Sequence, residues 1–193
     1  LYIKMPQINT INTINTINTS EEYTGKVFLV SSEGDKFEVE TRTAATSELV
    51  KTMLIDNDDD EEEEDNDDNE QEIPLPNVKS AVLAKVIEFC NYHMINGPMK
   101  EIEKPLKSAN MAEVVGEWDA NFLGIDQEML FQLILAANYM DIKSLLDLTC
   151  AKVASMLKGK TPEEIQKTFN IVNDFTPEEE AQVREENKWC EEA

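Results

Sequence analysis

Few side chains in this chain can do chemistry. Three cysteines, Cys90, Cys150 and Cys190, and one histidine, His93, make up its soft ligands and thiol nucleophiles. Cys90 and His93 stand three residues apart, a spacing that sets a nucleophile and a base on one helix face. The same stretch carries Val86 and Phe89. Free cysteine is among the most buried residue types, so Cys90 reads as a core residue and His93 as a helix-surface group. Three Cys and one His, scattered from position 90 to 190 with no C-x-x-C pair, fall short of one structural zinc site and far short of the two in a RING finger. The sequence has no G-x-S-x-G, no P-loop and no G-x-G-x-x-G. It has only six glycines, whereas phosphate-cradling loops are Gly-rich. No catalytic residue, cofactor or metal is expected.

Carboxylates offer the other candidate chemistry. Residues 56–72, DNDDDEEEEDNDDNEQE, hold 13 acids and no base. Calcium would suit such a run, but the EF-hand spacing, its central Gly and its closing Glu are missing. Like charges with almost nothing apolar cannot offset their ordering entropy, so a solvated, disordered insertion is expected. It supplies 13 of the 23 units of net negative charge, and Thr176–Ala193 supplies five more. The remaining 158 residues carry only five. This charge repels phosphate backbones and anionic lipid heads, so neither nucleic acid nor a membrane surface is an expected partner. No apolar run reaches the roughly 18–20 residues that span a bilayer. LYIKMPQINT has no signal-peptide character; Met5 is a candidate natural start, and reduced thiols in the cytoplasm and nucleus are expected.

The elements follow from hydrophobic spacing. Residues 8–19 are four copies of Ile-Asn-Thr, a period that fits neither strand nor helix, and residues 1–23 read as a disordered arm. KVFLVS, SEGD and KFEVE form a hairpin over 26–40. A helix is expected over 43–55, an edge strand at Ile73–Pro76 and an amphipathic helix over 78–94. Residues 96–115 read as a loop, and Trp118, Phe122 and Leu123 as a short helical turn. Asp126 should cap a central helix through Met140, apolar on more than one face. A further helix fills 141–158, closed by Gly159. Thr161-Pro-Glu-Glu164 and Thr176-Pro-Glu-Glu179 are capping boxes, opening a helix to Phe169 and another over 177–190.

The last of these helices has little to bury, with Val183 and Trp189 its main apolar residues. A marginal helix ending in a tryptophan either folds back onto the preceding helix or anchors a partner, and Trp enrichment in binding hot spots favours the anchor.

The stretch from Trp118 to Glu192 closely resembles the S-phase kinase-associated adaptor family, the F-box-binding subunit of SCF ubiquitin ligases. LILAANYMDIKSLLD and GKTPEEIQKTFNIVNDFTPEEEAQVREENKWC are long, specific matches. Residues 26–55, IPLPNV and the 78–94 helix resemble the family's front half. The Ile-Asn-Thr arm lies outside its pattern, and an acidic insertion this long suggests a fungal source.

The resemblance implies a mixed α/β fold: a BTB/POZ-like domain over 24–143, with a small sheet and packed helices, then a helical F-box-binding extension over 144–193. It implies a non-catalytic adaptor that bridges F-box proteins to a cullin with its RING subunit. By position, Leu146, Cys150, Val153, Ile171, Asn187 and Trp189 match the F-box-binding residues, and Asn138 and Tyr139 the cullin-binding pair. Leu146, Cys150 and Val153 share a helical spacing that suits either interior packing or, the favoured reading, a helix-in-groove interface. Two alternatives stand beside it: an F-box adaptor outside the ligase, as at kinetochores, and a self-associating BTB scaffold.

Overall fold

A computed structural model describes residues 25–58, 71–172 and 175–188. The sheet has three strands in the order β2-β1-β3, with β1 Lys26–Val30, β2 Lys36–Glu40 and β3 Glu72–Pro74. β1 and β2 form the expected antiparallel hairpin, with Val27 opposite Val39 and Leu29 opposite Phe37. Alternation buries Val27, Leu29 and Val39 on one face and leaves Lys26 and Glu38 outside as a cross-strand ion pair. The turn is closed by Ser31, whose hydroxyl accepts from the Glu33 and Asp35 amides at 3.3 and 3.1 Å. Gly34 takes the positive φ of 87° that a side chain would resist. β3 runs parallel to β1, pairing Ile73 with Leu29, and lies at the sheet edge where Pro74 costs no ladder bond.

The helix expected over 43–55 is two helices, α1 Thr41–Ala44 and α2 Glu48–Asp58. The break falls at Ser47, whose hydroxyl accepts from the Val50 amide at 3.2 Å and so opens a new helix. The acidic run is engaged at both ends, since α2 continues through Asp58 and β3 begins at Glu72. Residues 59–70 and the Ile-Asn-Thr arm lie outside the described residues.

Helix α3, Ser80–Asn96, buries Val82, Leu83, Val86, Phe89 and Cys90. The 96–115 segment is mostly coil, yet it buries Ile102, Met111 and Val115 and contains the short α4, Met111–Val114. α5, Glu117–Phe122, is held by aromatic stacking: Trp118 lies 3.7 Å from Tyr92 at an interplanar angle of 2°, and 5.2 Å from Phe122. His93 is not a surface group. Its Nε2 lies 2.8 Å from the buried Asp119 carboxylate and its Nδ1 3.0 Å from the Gly97 carbonyl.

α6, Gln127–Tyr139, is central as expected, capped by the Asp126 carboxylate at 2.8 Å from the Met129 amide. It buries Leu130, Leu133, Ala136 and Ala137 against α3 and α7. α7, Lys143–Leu157, adds Leu145 and Leu148, both fully buried. Each such side chain contributes about 1.5–3 kcal/mol of apolar burial. Beyond α7 the core stops. α8, Pro162–Phe169, and α9, Pro177–Glu186, bury no residue at all. No helix among the described residues is long and apolar enough to cross a membrane.

Candidate functional site

Helices without a buried face still need something to hold them, and local bonds do much of it here. Thr161 and Thr176 both form the complete capping box, each hydroxyl accepting from the N3 amide and each N3 glutamate accepting from the threonine amide at 2.9 Å. The Glu179 carboxyl is held below its ordinary value by the Thr176 backbone amide and hydroxyl. Arg184 reaches from α9 to Glu163 on α8 at 3.4 Å and to Glu180 at 3.5 Å. α8 is further tied to α6 through Phe169, whose ring lies 6.0 Å from that of Phe131. Exposed ion pairs of this kind contribute little, so the extension is positioned rather than strongly stabilised.

Its apolar residues face outward. Ile171 is 54% exposed, Val172 82%, Phe175 54% and Val183 40%. On α6, Phe131 and Leu135 are also outward, at 39% and 69%. Scattered exposed apolar residues are normal, but four of these six come from the stretch 171–183 and the other two from α6, against which Phe169 packs, which is the pattern of an interaction surface.

Among the expected F-box residues, Leu146, Cys150 and Val153 share one face of α7. Cys150 is exposed, while Leu146 and Val153 are half-buried against the core. Ile171 stands exposed just past α8. Asn187 caps α9, its amide donating to the Val183 carbonyl at 2.8 Å. Trp189 lies outside the described residues, as does Cys190. Sequence spacing did not single out Phe131, Leu135, Val172, Phe175 or Val183 as site residues. Apolar residues on a second face of α6 were visible in the sequence, and that was the available signal.

The expected cullin pair sits at the other end of α6. Asn138 is exposed, and Tyr139 is half-buried against the core. Met140 ends the helix, and Asp141, at φ 52°, turns the chain into α7. Asn138 falls at i, i+4, i+7 spacing from Phe131 and Leu135, so one outward stripe of α6 runs from the extension to this corner.

Nothing in the described residues resembles a catalytic centre. Burial pushes the Cys90 thiol up to about 12, far from a nucleophile's range. His93 is committed to Asp119 and Gly97. Among the described residues no three His, Cys, Asp or Glu side chains are grouped to hold a metal ion. A broad groove of about 1250 Å³ between the 99–104 segment and the start of α7 is lined by charges of both signs, including Glu48, Lys104, Lys143 and Asp147. Lys104 and Asp147 pair there at 2.9 Å, which raises the lysine above its ordinary value.

Two family models match the chain: residues 25–95 match the tetramerisation domain of the Skp1 family, and residues 143–190 its dimerisation domain. A Tetrahymena thermophila S-phase kinase-associated protein 1 homolog is 54% identical over 169 residues, covering 87% of this chain and 95% of the relative. The chain belongs to the Skp1 family. Fungal members match similarly: E3 ubiquitin ligase complex SCF subunit sconC of Arthroderma benhamiae is 50% identical, covering 88% of this chain and 97% of its own. The corresponding subunit of Arthroderma otae is 49% identical, at 87% and 96% coverage. Ciliate and fungal relatives thus stand side by side, and the matches do not single out a fungal source. The Skp1-family match confirms the α/β class with a BTB/POZ-like front half, and the three-stranded sheet with its packed helices is that fold.

Proposed function

We propose that this chain is the non-catalytic adaptor of an SCF-type ubiquitin ligase, binding F-box proteins through its C-terminal extension and a cullin through the α6–α7 corner. The observation that carries the reading is the outward apolar surface of the extension, Ile171, Val172 and Phe175 in the connection between α8 and α9 and Val183 on α9, beside two helices that bury none of their own residues. A helix pair built this way needs a partner to cover it, and an amphipathic F-box helix has the chemistry to do so. Identity of about 50% along nearly the whole length of proteins named as SCF subunits supports the same reading.

The adaptor's contribution to catalysis is geometric. It holds a substrate receptor and the cullin-borne ligase machinery at one separation, the proximity term of an otherwise bimolecular transfer. The corner and the extension lie at opposite ends of the α6 stripe, which suits one chain to engaging two partners. Absence of ubiquitin chemistry in this chain belongs to the same proposal, supported by the high thiol value of Cys90 and the engaged imidazole of His93. Work in the cytoplasm and nucleus is proposed with it, in line with the free thiols of Cys90 and Cys150.

The test is calorimetry of the full chain with an F-box peptide, then with a cullin N-terminal domain, then with both. Saturable one-to-one binding of each, and a ternary complex, is the expected result. A homodimer that ignores the F-box peptide would sink the proposal. Self-ubiquitination by this chain with only activating and conjugating enzymes would overturn the non-catalytic part, and fractionation of a tagged chain checks the compartments.

A further inference from the structure

We infer that Ser47 is a positioning residue for the cullin-binding corner, fixing Asn138 and Tyr139 through the Met140 carbonyl. The inference rests on the proposed role of Asn138 and Tyr139, and adds a residue 93 positions away from the carbonyl it holds.

The argument begins with the end of α6. A helix C-terminus leaves carbonyls without intrahelical partners, and buried ones must find donors elsewhere. Inside the corner, the Met140 amide donates to Ala136, Asp141 to Asn138 and Ile142 to Ala137, at 2.8, 3.3 and 2.9 Å. These bonds satisfy the carbonyls of Ala136, Ala137 and Asn138 and leave those of Met140 and Asp141 among the ones still to be met, and Met140 is only 2% exposed. The first turn of α2 meets them. The Ser47 hydroxyl and the Leu49 amide both donate to the Met140 carbonyl, and the Glu48 amide donates to the Asp141 carbonyl. An N-terminus thus abuts a C-terminus, and the two helix dipoles attract.

Within this junction, among the described residues, the serine is the one side-chain donor to the Met140 carbonyl. Both amide bonds are long, at 3.4 Å, near the limit of a hydrogen bond, and the Ser47 hydroxyl adds a third donor to the junction. Ser47 is 1% exposed, so water cannot replace it. Its hydroxyl works in both directions: the proton goes to Met140, and a lone pair accepts the Val50 amide that opens α2. Placement of the α2 start and of the α6 end is therefore coupled through this side chain, alongside the two amides. Tyr139 and Asn138 are the residues immediately before the held carbonyl, so a loosened Met140 lets their backbone tilt. The F-box face is held by different contacts, the capping boxes and the fully buried Leu145 and Leu148.

The experiment compares the full chain with Ser47→Ala, Ser47→Thr, Tyr139→Ala and a core control, Ile73→Val, by calorimetry against a cullin N-terminal domain and an F-box peptide. Ser47→Ala is expected to weaken cullin binding roughly tenfold and leave F-box binding unchanged. Ser47→Thr, which keeps the donor, should restore most of the loss. Hydrogen exchange should speed up at the Asp141 and Ile142 amides but not in α3. Wild-type cullin affinity in Ser47→Ala overturns the inference. Equal weakening of both partners, as in Ile73→Val, overturns it too, because that is general destabilisation. If Tyr139→Ala leaves cullin binding intact, the reading of the corner itself fails and the inference falls with it. Ser47→Cys, nearly the same volume with a weaker donor, carries the same comparison should the alanine variant not fold.

Discussion

The His93 imidazole and the Asp119 carboxylate meet at 2.8 Å, joining the end of α3 to α5 across 26 residues. Asp119 is 4% exposed, and the other imidazole nitrogen is taken by the Gly97 carbonyl at 3.0 Å. With Tyr92 and Trp118 stacked alongside, this polar contact decides where α5 lies on the core. Asp119→Ala strands a buried imidazole nitrogen, so it should lower stability by about 1–3 kcal/mol. Urea unfolding measures the loss, and the emission of Trp118 should shift with it. A variant as stable as the parent would mean that the stacked rings alone hold α5.

Exposed and buried apolar residues of the C-terminal half should behave as opposites. Val172→Asp changes a side chain that is 82% exposed, and its stability cost should stay within about 0.5 kcal/mol. F-box peptide affinity should nonetheless fall by about 1–2 kcal/mol, as truncations within a binding surface do. Leu145→Ala removes a fully buried side chain and should cost about 2–5 kcal/mol of stability. Calorimetry and denaturation on the same preparations separate the two. An affinity loss confined to Leu145→Ala would leave Val172 outside the binding face.

Acid should open the α9 capping box. Thr176 lowers the Glu179 carboxyl below its ordinary value of 4.5, so the folded helix prefers the ionised form. The resulting stabilisation is present above that ordinary value and is lost as pH falls through the lowered folded one. Site-resolved NMR of the Thr176 amide between pH 6 and pH 2 should show its bond to Glu179 released over that window. Glu179→Gln keeps an acceptor that does not titrate, and should flatten the response. A Thr176 amide insensitive to acid in the parent chain would refute the box as its cause.

Locally encoded features were legible in the sequence. The hairpin, α3, α6, α7, the Asp126 cap and both threonine boxes depend on neighbours within a few residues, and each lies close to where spacing and turn chemistry put it. Long-range partners were not legible. His93 looked like a surface residue because Asp119 lies 26 positions on, and one helix became two because Ser47 has a second use at Met140. The site divided in the same way. Ile171 and Cys150 stand exposed, whereas the exposure of Phe131 and Leu135 was hidden by a helix apolar on two faces, of which sequence cannot say which is covered.

Asp141 occupies the left-handed region at φ 52°, where a Cβ costs roughly 1–2 kcal/mol. Asp141→Gly should therefore be neutral or mildly stabilising, and Asp141→Val should be destabilising by about that amount or more. Thermal unfolding of the two variants checks the order. Reversal would mean that the Asp141 side chain, rather than the backbone turn, shapes the corner.

The thiols report on the proposed F-box face directly. Burial pushes Cys90 up to about 12, so it holds almost no thiolate near neutral pH, and reagent must wait for the fold to open. Cys150 is exposed on the α7 face shared with Leu146 and Val153. A brief iodoacetamide pulse followed by peptide mapping should label Cys150 well before Cys90. An F-box peptide at saturation should slow the Cys150 reaction several-fold, while Cys90 stays unlabelled within the pulse with or without it. Slowing is the informative result, because a peptide bound elsewhere on the chain has no means of shielding one thiol on α7. Undiminished labelling of Cys150 in the complex would move the F-box contact off this face and onto the α8–α9 surface alone.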